Sequence, residues 1–366
     1  MKIFKVIIST ICIGIGLFVL LQVVDMSYII AKWEQQKGTD YVIDLSELGE
    51  EDHIDPNELG PIQLLPDKEL KSDTSIINVL LIGDDGEGRG QGENSRGGSD
   101  SMMIATIDMK HHKLKLTSLM RDCYVEVPGT DKKGKSIGAR KLNVAYTIGG
   151  ATLLLDTLEH NFKIKIDNYA VINFKVFREV IDYIGGVDIN LSSQEALYLR
   201  GRNEVNSSER RNIKEGVNNL KGQAALEYAR ARGKNQKGNY IGSFTYIDEN
   251  GEKSKPLSDD FARTARQRYL LETLYKQMKD QGLLTLKGIA SRFIDNIWTN
   301  ISLNDLISYM EKALYIGTEK IEQLQIPLKN AYEDKKVGSS GAQVLYMNGE
   351  NFEKNINGLR SFIYED

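Results

Sequence analysis

The segment from Asn78 to Asp122 constrains the fold of this 366-residue chain more than any other stretch. A continuous apolar run of strand length ends in Gly83-Asp84-Asp85, and strand-like patterns follow at residues 101–108 and 113–120. An uninterrupted apolar run suits a buried central strand, and two strand patterns with a short polar connection predict a β-hairpin. The sequence therefore predicts a sheet whose centre lies in this segment.

The position of the turn sets the register of the predicted hairpin. If the turn centres between Lys110 and His111, the numbers of opposed residues sum to 221. Asp100 then lies opposite Arg121 at the open end of the ladder, where side chains can face a ligand. Because the turn lacks the Asn-Gly or Asp-Gly pair that fixes a register, this pairing depends on the strand patterns alone.

An N-terminal membrane anchor is predicted ahead of this segment. Residues 6–24 carry no charge and are long enough to cross a bilayer, and the basic residues before them are Lys2 and Lys5. Residues 1–5 would then stay in the cytoplasm and the rest of the chain would be extracellular. A cleaved signal peptide is the alternative, but the run exceeds a usual signal core and no small-x-small cleavage pattern follows it.

The rest of the chain divides into an arm and one large domain. Residues 25–75 include a polar, acidic, proline-containing stretch with poor hydrophobic periodicity, which predicts an extracellular stalk or extended arm. Residues 76–366 are predicted to form the domain. Cys12 lies in the predicted anchor and leaves Cys123 without a partner, so a disulfide-stapled fold is excluded.

The predicted domain alternates strands with helices. Helical spacing is found at residues 151–162, 175–184, 223–232, 303–314 and 351–364 and from residue 258 onward, and strand patterns at 169–174, 187–191 and 321–326. Alternation without a strict βαβ rhythm predicts an α/β class, as an α/β/α sandwich with a mixed central β-sheet flanked by helices. A net charge of −4 argues against a protein that coats nucleic acid.

Carboxylates and one arginine meet at the predicted rim of the sheet. Asp85 and Asp100 are hard oxygen ligands, and two carboxylates with water and phosphate oxygens form the usual coordination of Mg²⁺. Arg121 beside them can bind phosphate through two hydrogen bonds. Two acidic residues near loops also occur as a solvated rim, so this pair alone leaves both interpretations open. The glycine-rich stretch at residues 86–99 is predicted to form a mobile lip over the site.

Further along the chain, Arg230 and Arg232 are two residues apart and would diverge on a continuing helix. They converge only if the helix ends there, which Gly233 favours. The alternative is a basic helix C-terminus that stabilises the helix dipole.

The helix that begins near residue 258 places an acid, a cation and an amide on one face. These residues are Asp260, Arg263 and Gln267, with Arg266 between them. Near a helix N-terminus this face can bind an anion and leaves Asp260 as a candidate base. The alternative is an Asp-Arg pair on a wet surface. His111 and His112, in the hairpin turn, are interpreted as exposed turn residues.

With these residues assembled, the chain resembles the LytR-CpsA-Psr family, whose members are membrane-anchored enzymes that attach glycopolymers to the cell wall of Gram-positive bacteria. The motifs that carry the resemblance lie at residues 78–85, 98–102, 118–125, 141–146, 184–187, 220–232 and 260–267. Each motif is short, and their order and spacing together are specific.

The resemblance implies a phosphotransferase with a polyprenyl-pyrophosphate-linked glycan as donor and the C6 hydroxyl of N-acetylmuramic acid in peptidoglycan as acceptor. It implies that Asp85 and Asp100 hold Mg²⁺, with Mn²⁺ as the alternative, and that Asp260 activates the acceptor hydroxyl, with Arg121 and Arg263 as further catalytic residues. The pyrophosphate-binding positions that it implies are Arg121, Arg230, Arg232, Arg263 and Gln267. The glycopolymer could be teichoic acid or capsule.

The resemblance also implies a hydrophobic tunnel for the lipid between the sheet and helices. Its candidate lining residues are Leu153, Leu154, Leu158, Val176, Phe177 and Ile181. The expected location is the cell membrane of a Gram-positive-type envelope, with no nucleic-acid partner. Two alternatives stay open: hydrolysis of the lipid pyrophosphate at the same site, and a membrane-anchored regulatory protein that binds lipid-linked glycans without turnover.

Overall fold

A computed structural model describes residues 42–49, 52, 54–55, 58–59, 62, 68–86, 98–232, 246–247, 253–254, 259–281, 288–289, 292–293, 296–318 and 320–365. The predicted anchor at 6–24, residues 87–97 of the predicted lip and most of the polar segment 233–258 lie outside these ranges. Among the helices of the described ranges, none combines the length and the apolar character that crossing a membrane requires.

The strands, in chain order, are β1 (Ile76–Asp84), β2 (Ser99–Asp108), β3 (Lys113–Leu119), β4 (Cys123–Thr130), β5 (Ser136–Lys141), β6 (Asn168–Asn173), β7 (Val187–Leu191), β8 (Gly216–Leu220), β9 (Tyr246–Ile247), β10 (Lys253–Ser254), β11 (Ile297–Thr299), β12 (Glu322–Ile326), β13 (Glu333–Val337) and β14 (Ala342–Tyr346). The α-helices are α1 (Leu142–Phe162), α2 (Phe174–Tyr183), α3 (Ser193–Arg200), α4 (Ser207–Asn212), α5 (Gly222–Arg230), α6 (Asp259–Gln281), α7 (Leu303–Ile316) and α8 (Glu350–Tyr364).

A six-stranded mixed sheet forms the centre, in the order β11-β6-β1-β2-β3-β12. Strand β1 pairs with β6 in parallel and with β2 in antiparallel orientation, and β3 pairs with β12 in parallel. The carboxyl ends of β1, β3, β6 and β12 therefore meet the amino end of β2 at one rim. This arrangement gathers the residues that follow several strands into one place.

The hairpin register predicted from the sequence is confirmed. Met103 lies opposite Ser118 and Asp108 opposite Lys113, so the numbers of opposed residues sum to 221 as expected. His112, in the turn, adopts a positive φ of 55°, a conformation that lets the short connection reverse the chain. The open end of the hairpin lies at the rim, and its turn lies at the opposite end of the two strands.

Helices cover both faces of the central sheet, as the predicted sandwich requires. On one face, Leu80 and Ile82 of β1 pack in the largest apolar cluster with residues of α1 and α8. On the other face, Ile77 and Val79 pack against residues of α7. Because side chains alternate along a strand, the apolar run of β1 supplies both cores, which explains why it shows no alternation in the sequence.

A smaller sheet, in the order β13-β14-β4-β5, and the hairpin β7-β8 complete the described architecture beside the two-residue strands β9 and β10. Part of the segment interpreted as an arm also packs on the domain: Leu45, Leu48 and Ile54 are buried in the largest cluster. The backbone N–H of Ile43 donates to the carbonyl of Ile148 over 2.9 Å. Packing of the domain thus includes residues before Ile76.

Helix α1 begins at Leu142, whereas the sequence pattern predicted a start at Ala151. The prediction missed its first half because Gly149 and Gly150 interrupt the helical spacing. Both glycines have non-helical dihedral angles, with φ of −133° and 69°, so the chain is kinked there. The first half of α1 thereby keeps a separate direction, and its Tyr146 reaches β1, where its hydroxyl donates to Asp84 Oδ2 over 2.7 Å.

Candidate active site

A cavity of about 590 Å³ opens at the rim where the strand ends meet. Seven of the eight predicted site residues line it, namely Asp85, Asp100, Arg121, Arg230, Arg232, Arg263 and Gln267. The eighth, Asp260, adjoins the cavity through its contacts with Arg263 and Arg232. Residues that are far apart in the chain therefore share one site because the sheet and two helices end there.

Asp100 and Arg121 form an ion pair at the open end of the hairpin, as the register predicted. Arg121 Nη1 donates to Asp100 Oδ1 over 2.9 Å. Asp100 lies at a β-bulge, because Gly83 pairs with Ser101 while Asp84 pairs with Ser99. A bulge redirects the side chain of the extra residue, and here it places a carboxylate at the rim.

The backbone at Arg121 is fixed independently of this ion pair. Its carbonyl accepts from the backbone N–H of Asn143 over 3.2 Å at the start of α1. Asp122 Oδ2 lies 3.6 Å from Arg121 Nε. The guanidinium is thus held between two carboxylates and still lines the cavity.

Asp85 follows the last residue of β1 and faces the same space. Its Oδ1 accepts from the backbone N–H of Gly98 over 2.6 Å. Burial raises the pKa of Asp85 above its ordinary value, and the negative charge of Asp100 raises it further, against the hydrogen bond from Gly98. Two carboxylates that repel one another across a cavity are a donor set to which a divalent cation would bind favourably.

The arginines at the end of α5 converge because the helix stops between them. Arg230 is the last helical residue, and Ala231 is non-helical, with ψ of 122°. Arg266 of α6 donates from Nη1 to the Ala231 carbonyl over 3.1 Å. This contact ties the non-helical residue to α6, so Arg230 and Arg232 both reach the cavity.

Helix α6 carries the second acid–cation pair of the site. Arg263 Nη2 lies 3.0 Å from Asp260 Oδ1, and Arg263 Nη1 lies 4.0 Å from Asp100 Oδ1. Ser101 of β2 donates to Gln267 Oε1 over 3.1 Å. These contacts connect α6 with the hairpin and make the Asp260 face of the helix part of the cavity edge.

Arg266 departs from the expectation that it shares this face. It is fully buried and its Nε donates to Glu195 Oε1 of α3 over 2.8 Å, away from the cavity. The spacing of three residues from Arg263 allows either direction, and the buried carboxylate of Glu195 decides it. Arg266 therefore supports the site from behind through Ala231.

The cavity carries a local excess of positive charge. Burial lowers the pKa of Arg263 against the attraction of Asp260, and the nearby guanidinium groups of Arg232 and Arg121 lower it further. Arg263 is 3% exposed, so solvent screens this repulsion poorly. A bound polyanion would relieve the repulsion, and planar guanidinium groups match the geometry of phosphate oxygens.

Behind the charged rim one side of the cavity is apolar. Its apolar lining includes Leu81, Met103, Ala170, Ile172, Phe174, Phe177, Leu226, Leu270 and Leu271. Of the six residues proposed for a lipid tunnel, Phe177 is the one that lines this cavity. Leu154 and Leu158 are instead buried in the cluster of α1, which lies on the other face of the sheet.

Four polar residues of the cavity wall are absent from the predicted site, namely Ser101, Tyr198, Arg202 and Glu227. Tyr198 and Arg202 come from α3 and the segment after it, where no motif marks them. Glu227 could have been noticed, because it precedes Arg230 by three residues on the same predicted helix. The structure shows it 2% exposed despite its charge.

The chain matches the model of the LytR_cpsA_psr family over residues 44–241 and 252–360. It is 29% identical over 293 residues to "Regulatory protein MsrR" of Staphylococcus aureus (strain COL), a match that covers 79% of this chain and 75% of that protein. It is 28% identical over 322 residues to "Polyisoprenyl-teichoic acid--peptidoglycan teichoic acid transferase TagU" of Enterococcus faecalis, with 87% of each chain covered.

Solved structures show the same architecture. The crystal structure of TagV from B. subtilis superposes with a TM-score of 0.57 at 26% sequence identity, over 80% of this chain and 98% of that one. Because the match covers nearly the whole of the solved chain, the two proteins share the same fold.

Proposed function

This chain belongs to the LytR_cpsA_psr family, and from that premise we propose that it transfers a glycopolymer from a polyprenyl-pyrophosphate carrier to peptidoglycan. The curated relative TagU carries a name that states this class of reaction for teichoic acid. The observation that supports it most directly is the cavity, in which an apolar chamber adjoins Arg121, Arg230, Arg232 and Arg263. A pyrophosphate with a lipid tail has the matching combination of charge and hydrocarbon.

The arginines are proposed to bind the pyrophosphate and to stabilise the charge that develops on it. Arg121 and Arg263 both approach Asp100, at 2.9 and 4.0 Å, so the two guanidinium groups converge on one point of the rim. Arg230 and Arg232 reach the cavity from α5. Preorganised cations are worth most in a site that excludes water, because solvent does not screen them there.

Asp260 is proposed to accept the proton of the acceptor hydroxyl. The acceptor oxygen attacks the phosphorus that carries the glycan, the bond between that phosphorus and the bridging oxygen breaks, and the lipid phosphate leaves with the bonding electrons. Asp260 is suited to this role because it lies beside Arg263 at the cavity edge, 21% exposed at its side chain. At this position Asp260 can contact an acceptor hydroxyl that approaches from solvent, and the acceptor need not enter the apolar chamber.

Asp85 and Asp100 are proposed to hold Mg²⁺, with Mn²⁺ as the alternative. Their carboxylate oxygens fit a hard divalent cation, and the raised pKa of Asp85 reflects burial and a repulsion that such a cation would remove. When bound, the metal would neutralise charge on the pyrophosphate oxygens. Asp100 also orients Arg121 through their ion pair.

The protein is further proposed to act at the extracellular face of a Gram-positive-type cell membrane, anchored through residues 6–24. The uncharged run and the preceding lysines support this placement. Anchoring would confine enzyme and lipid-linked donor to the same surface and so raise their encounter rate.

The function is tested by incubating the full chain in detergent with a synthetic polyprenyl-pyrophosphate disaccharide and peptidoglycan fragments, with Mg²⁺ or with EDTA. Mass spectrometry should detect glycan phosphate joined to muramic acid, and EDTA should abolish this product. Asp260→Asn should bind the donor with wild-type affinity and form product at least about 100-fold more slowly.

The alternatives give different products. Free glycan phosphate with no acceptor adduct would establish pyrophosphate hydrolysis instead. Donor binding without either product would favour a regulatory protein that holds lipid-linked glycans, in line with the name of the relative MsrR.

A further inference from the structure

Helix α5 presents two chemically different rows toward the cavity. Leu226 and Ala229 line it with hydrocarbon, whereas Glu227 and Arg230 line it with charge. Residues three and four apart share a helix face, so each row is a continuous strip that ends near the rim. The cavity thus has a polar side as well as an apolar one.

Glu227 is the least expected member of the polar row. Its side chain is 3% exposed, and a carboxylate at such a depth is costly unless both of its oxygens are satisfied. Gln223 Nε2 donates to Oε1 over 3.2 Å, and Arg202 Nε lies 2.7 Å from Oε2. The pairing fixes the guanidinium of Arg202 at the cavity wall.

Tyr198 completes this wall. The guanidinium carbon of Arg202 lies 5.6 Å from the centre of the Tyr198 ring, within the range of a cation–π contact. Arg202 Nη2 also lies 3.3 Å from Glu204, whose side chain is 45% exposed, so that contact is weak. An aromatic ring, a guanidinium and a carboxylate stand together in the polar wall, defined here as Tyr198, Arg202 and Glu227.

This combination matches the chemistry of a sugar ring. The guanidinium of Arg202, whose side chain is 23% exposed, can donate to the hydroxyl groups of a sugar. Tyr198 (6% exposed) and Glu227 (2% exposed) hold this guanidinium in place through the contacts described above. A lipid chain would gain nothing from the polar wall and would leave its charges unhydrated.

The donor itself has two arms, a lipid and a glycan, on opposite sides of the pyrophosphate. Arg230 stands where the two sides of the cavity divide, since its guanidinium lies 5.1 Å from the ring centre of Phe174 on the apolar side and it follows Glu227 on α5. A pyrophosphate bound at the rim would therefore direct its lipid along the apolar lining and its glycan toward the polar wall.

We propose that Tyr198, Arg202 and Glu227 form the subsite for the first sugar of the lipid-linked donor, with Arg202 as the residue that distinguishes a glycosylated from a bare carrier. This inference rests on the proposed function and names the part of the substrate that each side of the site recognises. Arg202 would recognise the sugar and so determine specificity, whereas the arginines of the rim would bind the pyrophosphate.

The test compares two probes with the full chain in detergent and Mg²⁺: geranylgeranyl pyrophosphate, and the same lipid pyrophosphate joined to N-acetylglucosamine. Titration calorimetry gives both dissociation constants. Wild type should prefer the sugar-bearing probe by about tenfold, and Arg202→Gln should remove the preference while it keeps the affinity for the bare probe.

Arg200→Gln is the matched control, because Arg200 is exposed two residues earlier and is absent from the cavity lining. It should retain both affinities. Glu227→Gln should weaken the preference as well, since it releases Arg202. Binding of the bare probe within each variant reports that its site is folded.

Equal affinity of wild type for the two probes would overturn the subsite and leave the proposed function standing. An equal loss of affinity for both probes in Arg202→Gln would also overturn it, because Arg202 would then serve the pyrophosphate. If wild type binds neither probe, the proposed function and the subsite both fail.

Discussion

The two ends of the β2–β3 hairpin each carry a cluster of opposite charges, and the clusters differ in how completely the charges are satisfied. At the open end, Asp100 and Arg121 border a cavity with further arginines. At the turn end, Lys115 Nζ lies 2.7 Å from Asp108 Oδ2, 2.9 Å from Glu365 Oε1 and 3.0 Å from the Ile363 carbonyl. Three acceptors use the three donors of one ammonium.

The cluster at the turn contributes to stability, whereas the cluster at the rim is suited to binding a ligand. Asp108, His111 and Glu365 lie close enough together to suggest a metal site. Lys115 occupies that position, so the turn cluster needs no ion. At the rim the guanidinium groups repel one another, and a bound anion would relieve this repulsion. A buried charge that the fold compensates is costly to uncouple from its partner, and charge that the fold leaves uncompensated next to a cavity is available to a ligand.

The largest effect is expected at the turn. Lys115→Met should lower the free energy of unfolding by about 3–5 kcal/mol, because it leaves the fully buried Asp108 carboxylate without its cation. Urea denaturation measures this loss. Lys113→Met, which removes a half-exposed lysine two residues away, should cost about 1 kcal/mol or less. Equal losses in the two variants would contradict the contrast.

At the rim the expected effect is on the reaction. Arg121→Gln should slow transfer by about 100-fold or more, because a preorganised donor to the pyrophosphate is lost. Its free energy of unfolding should change by less than about 1 kcal/mol, since the Arg121 side chain is partly exposed and paired at the surface of the cavity. Steady-state rates and urea denaturation of the same preparation give both quantities.

Arg268→Gln serves as the opposite control for that rim variant. Arg268 lies on α6 but points into the core, where its Nη1 donates to Ser118 Oγ over 2.7 Å. The variant should lose stability and keep its transfer rate per folded molecule. A loss of rate as large as that of Arg121→Gln would contradict the assignment of Arg268 to stability and Arg121 to the reaction.

The two clusters should also respond to acid with opposite signs. Burial alone would raise the pKa of Asp108, but hydrogen bonds from Lys115 and His111 outweigh it and lower the pKa below the ordinary 3.8. Its contribution to stability is therefore present above about pH 4 and is lost as the pH falls through the lowered value. Asp85, with its raised pKa, instead costs stability once ionised, and that cost disappears as the pH falls through the raised value.

These signs are tested by measuring the free energy of unfolding of wild type, Asp85→Asn and Asp108→Asn in EDTA from neutral pH to pH 3. The value of each variant is subtracted from that of wild type at each pH. At neutral pH Asp85→Asn should be the more stable variant and Asp108→Asn the less stable one. If both variants were less stable than wild type at neutral pH, the ionised carboxylate of Asp85 would contribute to stability, which would contradict the prediction.

The smallest effect is expected for Glu365→Gln. Glu365 contacts both Lys113 and Lys115, but its side chain is 26% exposed and Lys115 keeps Asp108 and the Ile363 carbonyl. The change should cost about 1 kcal/mol or less by urea denaturation. A loss as large as that of Lys115→Met would show that the three acceptors act as one unit.

Local patterns predicted much of this structure. The hairpin register and the Asp260 face of α6 follow from periodicity, and the structure bears them out. Helix α5 ends at Arg230, two residues before the predicted end at residue 232, and this earlier end decides that the two arginines converge. These features depend on residues near one another in sequence, where a spacing directly determines direction.

Tertiary contacts set the features that the sequence analysis missed. Arg202 pairs with Glu227 beyond the intervening α4 and β8, and no spacing predicts such a contact. The direction of Arg266 depended on a buried carboxylate from α3. Strands β4 and β5 were not predicted, and of the two it is β4 that pairs with the distant β14. The roles assigned to the site residues stay predictions, which the rim variants test.

The register of the hairpin restricts how the gene can change in length. Twenty residues separate Asp100 from Arg121, and the loss or gain of one within either strand would turn every later side chain to the opposite face of the sheet. Such a change would disconnect the rim pair and the Lys115 cluster together. Descendants of this sequence are therefore expected to tolerate insertions and deletions outside the hairpin and to keep this interval constant.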